Sequence, residues 1–225
     1  MTTITSHPTR PFDIVVTEQR SADWFDARLG LVTGSKAGAV WNKTAKGLRT
    51  AEWKKYQDQL LAEALTALPN DDVFVSYEMQ RGIDLEPVAR RAAAKRLGVQ
   101  IRETGFLASH TLRAGSSLDG DINDFEAIVE IKVPRTTTHL SYIEDKGLPD
   151  TYMGQLLHNL YISKADTIFF VSFDDRLPPH LQLCIVERKA KDLPLEEYER
   201  DLLTFLDELK TRTAALAQGE VLPVF

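Results

Sequence analysis

The chain has 225 residues, 43% hydrophobic and 27% charged, with a formal net charge of −6 at pH 7; one large domain or two small ones fit that length. The negative balance excludes a protein that coats nucleic acid by bulk attraction, but not a nucleic-acid enzyme, whose steering depends on where charge lies. A single cysteine, Cys184, excludes an intrachain disulfide and any four-cysteine zinc or iron–sulfur site within the chain.

No apolar run reaches the about 18 residues that span a bilayer, and MTTITSHPTRPF lacks the apolar core of a secretion signal. The expectation is a cytoplasmic protein with no membrane partner. Residues 1–20 read as a polar lead-in ending in a strand-like stretch, FDIVVTE. Ser21 or Asp23 can cap a helix through WFDARLG that Gly30 stops. A second, short helix follows in LVTGSKAGAVW, with Thr33 or Ser35 as its cap. Residues 50–68 carry helical spacing at Trp53, Tyr56, Leu60, Leu61, Ala64 and Leu68, closed by Pro69. Residues 78–97 are again helical, with Pro87 either a kink or a new first turn and Gly98 the stop.

The texture then turns to β. GFLASHTLRA, SSLDGDI and AIVEIKV read as three successive strands of an antiparallel meander, with a turn at Asn123–Asp124. TYMGQLLHNLYISKA (151–165) reads as an amphipathic helix. TIFFVSFDD and LQLCIVERK are further strands, the second burying Cys184, and DLPLEEYERDLLTFLDELKTRTAAL is the closing helix, with Pro194 in its first turn. No Gly/Ser/Pro-rich linker divides the chain. One α/β domain over 1–225 is expected: lead-in 1–20, helical portion 21–98, sheet-centred core 99–190, and a closing helix and tail 191–225.

In AIVEIKV, Glu130 and Lys132 share one face of an otherwise apolar strand while Ile131 and Val133 share the other. Glu-x-Lys on a strand is commonly an ordinary ion pair on a solvated face. The alternative is a metal site. Magnesium takes oxygen ligands, commonly one or two carboxylates with water and substrate phosphate, and a nearby lysine can orient the attacking water. Asp119, Glu130, the Ile131 carbonyl and Lys132 would supply these parts.

Asp119 followed by Glu130-Ile131-Lys132 resembles the PD-(D/E)XK nuclease signature. RGIDLEP (81–87), WFDARLGLVTGS (24–35), SSLDG (116–120), VEIKVP (129–134) and YMGQLLHNLY (152–161) together resemble the phage lambda exonuclease, or YqaJ-type viral recombinase, family. The resemblance implies a restriction-endonuclease-like core, a central mixed sheet flanked by helices with an N-terminal helical portion. It implies a magnesium-dependent exonuclease, with manganese a substitute, that digests one strand of linear duplex DNA from a 5′ end and leaves a 3′ overhang. It further implies a homotrimeric ring around DNA and a single-strand annealing protein as recombination partner. Carried over by position, Asp119, Glu130, Ile131 and Glu86 would hold metal, Lys132 would assist the attacking water, and Gln155 would line the site. Arg28, Ser35 and Ser117 would grip the 5′-terminal phosphate. Where the family has a second aspartate this chain has Ser109, leaving His110 or Asp121 as substitutes. Lys43, Lys46, Arg49, Lys54, Lys55 and Arg135 are candidate DNA contacts or plain surface cations. An endonuclease on the same fold, or a catalytically idle DNA-binding or assembly module, remain the competing readings.

Overall fold

A computed structural model describes residues 2–18, 20–69 and 76–217; the C-terminal tail expected beyond the closing helix lies outside them. The polar lead-in folds as a hairpin, β1 (Thr3–Ser6) and β2 (Phe12–Val16), paired antiparallel. Ser21 caps α1 (Ala22–Arg28) by accepting from the Trp24 N–H. β3 (Val32–Thr33), a 3₁₀ turn (Gly34–Lys36) and α2 (Gly38–Trp41) follow, with no side-chain cap from Thr33. In α3 (Ala51–Thr66), Trp53, Tyr56, Leu60 and Leu61 are buried as their spacing predicts, while Leu68 is 65% exposed beyond the left-handed Ala67 that ends the helix. α4 (Tyr77–Leu97) runs unbroken through Pro87. Pro87 is exposed, so water can satisfy the carbonyl that the missing N–H would have bonded.

The expected single central sheet is two sheets. A five-stranded sheet runs β1-β2-β4-β5-β3 and a four-stranded one β6-β7-β8-β9. The meander divides between them: β4 (Phe106–Ser109) and β5 (Ala114–Ser117) belong to the first, β6 (Gly120–Ile122) and β7 (Ala127–Lys132) to the second. SSLDGDI, read as one strand, therefore changes sheets at Leu118–Asp119. Leu118 is 1% exposed and fills the common core at that crossing. The β6–β7 turn places Asn123, Asp124 and Phe125 at positive φ.

Two helices cover the step from β7 to its parallel partner β8 (Thr167–Phe173): α5 (Thr136–Asp145) and α6 (Asp150–Ser163). α6 was expected; α5 was not, because Thr136-Thr137-Thr138 is a weak helix opening. β9 (Leu183–Lys189) pairs antiparallel with β8, and α7 (Leu195–Ala217) closes the described chain. Cys184 is half-buried, its Sγ 3.5 Å from the Tyr142 carbonyl, and burial pushes its thiol up.

One core joins α2, α3, α6 and α7 to the sheets. A second packs Ala89 and Ala93 of α4 against Val129 and Ile131 of β7 and Val171 and Phe173 of β8. β7 is thus sandwiched: its odd-numbered side chains meet α4, while Glu130 meets α6. Gly154 lets α6 approach α2 closely, since a Cβ there would lie 2.8 Å from the Gly38 Cα.

Candidate active site

Glu130 is 1% exposed, and its two oxygens are fully engaged. Oε1 lies 2.5 Å from Lys132 Nζ and accepts from Gln155 Nε2 at 2.6 Å; Oε2 accepts from Asn159 Nδ2 at 2.8 Å. Lys132 Nζ also donates to Gln155 Oε1 at 3.2 Å and stands 4.8 Å from the Tyr152 ring centroid. Asp119, just past the end of β5, accepts from the Ile131 N–H at 2.6 Å. The backbone of Ile131 is therefore tied to the aspartate through its N–H.

Glu86 reaches the same place from α4 and is held by Arg90 one helical turn on, at 2.5 Å. Arg90 also donates from Nε to the Asp119 carbonyl at 2.7 Å. Burial, reinforced by the Asp119 charge, pushes the Glu86 carboxyl up to about 7. Burial pushes Glu130 up to about 7 as well, with Lys132 opposing and Asp119 and Glu86 adding to the rise. Asp119 is raised by burial against the pull of Lys132. Burial pulls the Lys132 ammonium down, but Glu130 and Asp119 outweigh it and hold it above the usual lysine range. It is a fixed positive charge at neutral pH.

The second cluster lies around α1 and the 3₁₀ turn. Arg28 donates from one guanidinium nitrogen to Ser117 Oγ at 2.9 Å and from the other to Ser35 Oγ at 3.5 Å. Its guanidinium lies over the Trp24 ring at 3.9 Å. An open cleft of about 740 Å³ is lined by Arg28 and Ser35 at one part and by Glu86, Asp119, Glu130 and Lys132 at another.

The profile of the YqaJ-like viral recombinase domain matches residues 23–166, more than half of the chain and the span that carries both clusters. The chain belongs to that family. This YqaJ-like domain is similar to solved structures of LHK-Exo, an alkaline exonuclease from Laribacter hongkongensis, one of them in complex with dAMP. Identity is 30% and the TM-score 0.78, over 88% of this chain and 97% of that one. A phage-related exonuclease from Haemophilus somnus 129PT shares the fold at 13% identity and TM-score 0.63, over 84% of this chain and 96% of that one. No curated protein sequence matches.

Other expectations for the YqaJ-like domain land elsewhere. His110 pairs with Asp13 at 2.9 Å on the β2–β4 edge, and Asp121 pairs with Arg102 at 2.7 Å; neither lines the cleft. Ser109 accepts from the Leu112 N–H in the β4–β5 turn. Lys43 pairs with Glu197 and Asp201, and Arg49 with Glu208, so the loop carrying them is fastened to α7. Lys54 and Lys55 pair within α3 with Asp58 and Glu52, and Arg135 pairs with Glu78.

Asn159 and Arg90 went unread in the sequence. Each stands four residues after a residue that was read, Gln155 and Glu86, and that helical spacing was the available signal. Arg20 also went unread; it lines the cleft from a left-handed backbone position, φ 68°, and its charge acts on Glu86 and Asp119.

Proposed function

We propose that this YqaJ-like domain is a magnesium-dependent exonuclease that degrades one strand of linear duplex DNA from a 5′-phosphorylated end, leaving a 3′ single-stranded overhang. Family membership and the likeness to solved exonucleases support a nuclease role in recombination. The observation that carries the finer reading is the shared cleft, with the Arg28–Ser35 cluster at one part and the carboxylate–lysine cluster at another. An enzyme that cuts internally has no need of an end-binding pocket.

Among the described residues no three His, Cys, Asp or Glu side chains stand arranged as a ready metal cage. Magnesium does not require one, since it is commonly held by one or two carboxylates with water and substrate phosphate. The donor set fits: Asp119, Glu130 and Glu86 are hard oxygen donors whose charged forms burial disfavours, a cost that a divalent cation would relieve. Asp119 and Glu130 would hold the ion, with the Ile131 carbonyl and Glu86 completing its surroundings; manganese, also an oxygen-seeking ion, would substitute. Bound there, the metal supplies phosphate polarisation and a more acidic water.

The chain's own groups do the rest. Lys132, held between Glu130 and Gln155, stabilises negative charge growing on the phosphate and orients the attacking water. Arg28 offers two guanidinium edges to a terminal phosphate, with Ser35 and Ser117 as further donors. On the same reading the chain is one nuclease domain of the reducing cytoplasm. It assembles as a homotrimeric ring on DNA and passes its overhang to a single-strand annealing protein.

Digestion of linear duplex with 5′-phosphate or 5′-hydroxyl ends, beside a closed circle, tests this. Magnesium-dependent loss of one strand from phosphorylated ends with the circle intact is expected. A cut circle moves the protein to the endonuclease reading, and no cleavage with either metal leaves an idle DNA-binding or assembly module.

A further inference from the structure

Asn159 is 1% exposed and sits between the two clusters. Its Nδ2 donates to Glu130 Oε2 at 2.8 Å and its Oδ1 accepts from Ser116 Oγ at 2.5 Å. Ser116 immediately precedes Ser117, which accepts from Arg28. On the other side lies Gly34, the residue before Ser35: a Cβ there would lie 2.4 Å from Asn159 Oδ1. That oxygen is the end of a side chain, but one bonded at both tips, so it cannot retreat without releasing Ser116 or Glu130. Asn159 therefore touches the neighbour of each serine in the phosphate pocket while holding one oxygen of the buried glutamate.

We propose that Asn159 is a positioning residue: it fixes the Glu130 carboxylate and, keyed against Gly34 and Ser116, holds it in register with the pocket formed by Arg28, Ser35 and Ser117. The inference rests on the nuclease reading above. A buried glutamate with one oxygen released can rotate about its terminal torsion, and metal-site partners of this kind commonly contribute about 10- to 100-fold in affinity or activity. Gly34 and Asn159 form a size-matched pair, in which the space a side chain would need at 34 is filled by the amide from α6.

The test compares Asn159→Ala, Asn159→Ser, Gly34→Ala and the double variant Gly34→Ala/Asn159→Ser by melting temperature, by magnesium affinity in calorimetric titration without DNA, and by kcat and KM on 5′-phosphorylated linear duplex. Both Asn159 variants are expected to weaken magnesium binding and kcat by about 10- to 100-fold, with KM within about threefold. Gly34→Ala is expected to lower the melting temperature in the Asn159 background and much less beside Asn159→Ser. Folded Asn159 variants with magnesium affinity and kcat within about twofold of the parent overturn the proposal, as does an equal melting penalty for Gly34→Ala in both backgrounds. A parent chain that cuts, with unaffected Asn159 variants, sinks the positioning role alone. A parent that binds magnesium without cutting, with weakened binding in the variants, sinks the nuclease reading alone. A parent that does neither overturns both.

Discussion

Lys132 Nζ lies 2.5 Å from Oε1 of Glu130, two residues before it on the same strand. The alternation of β7 turns both toward α6, where Gln155 bonds each of them. The pair is neither a solvated surface bridge nor an isolated buried one, because it opens on the cleft. Lys132→Ala removes the fixed positive charge and is expected to lower kcat by about 10²–10³-fold with little change in KM, the loss typical of one electrostatic donor. Single-turnover digestion of end-labelled duplex measures it. A kcat within threefold of the parent would end the catalytic reading of this lysine.

Arg28 makes its case through discrimination between ends. Charge-assisted hydrogen bonds contribute about 1.5–3 kcal/mol each. Arg28→Ala should raise KM for 5′-phosphorylated ends by about 10- to 100-fold and leave 5′-hydroxyl ends nearly untouched. Competition between the two substrates in one reaction reads the ratio directly.

Magnesium should stabilise the fold. A ligand that binds only the folded chain adds about 2.7 kcal/mol at a hundred times its dissociation constant. The melting temperature is expected to rise on adding magnesium and to return with a chelator. Asp119→Asn should abolish the rise. A melting curve indifferent to magnesium would remove Asp119 and Glu130 from the metal assignment.

His158 predicts an acid-sensitive fold. Its Nε2 donates to the Gly115 carbonyl at 2.9 Å and its Nδ1 accepts from Tyr198 Oη at 2.6 Å, and burial, with the Arg28 charge adding, brings its pKa down to about 4. Between about 6.5 and 4 the unfolded chain holds a proton there that the folded chain refuses. Stability attributable to His158 is therefore complete above about pH 6.5 and lost as pH falls toward 4, on the order of 3 kcal/mol in all. His158→Gln, which cannot charge, should flatten that part of the denaturant-midpoint profile against pH. Parallel profiles for the two proteins would refute it.

Local sequence carried the elements whose chemistry is local. β7 was legible because an Ile/Val strand interrupted by Glu130 and Lys132 has only one alternation to offer, and α4 because a helical pattern over 78–97 runs up to its stop, Gly98; its cap, Ser76, shows only in the structure. What the sequence hid depends on distant partners. α5 begins with three threonines and is fixed by His139, which bonds Ser172 and the Leu181 carbonyl from inside the core. The Lys43 and Arg49 loop reads as a basic surface until α7, about 150 residues on, supplies its acids. The division of SSLDGDI is invisible too, since it is made by distant pairing, Ser116–Ser117 with β4 and Gly120–Ile122 with β7.

That division has a mechanical consequence. Ser117 ends a strand of one sheet and Glu130 lies within a strand of the other, with Asp119 on the short span between them. If Arg28, Ser35 and Ser117 grip a terminal phosphate as proposed, its distance to the bond facing Lys132 is a dimension of the scaffold, like the gap of a caliper whose jaws are separate sheets. On the proposed reading, the size of the fragment released at each cut is set by how those sheets are joined at Leu118 and Asp119. Inserting a residue there would reset the gauge.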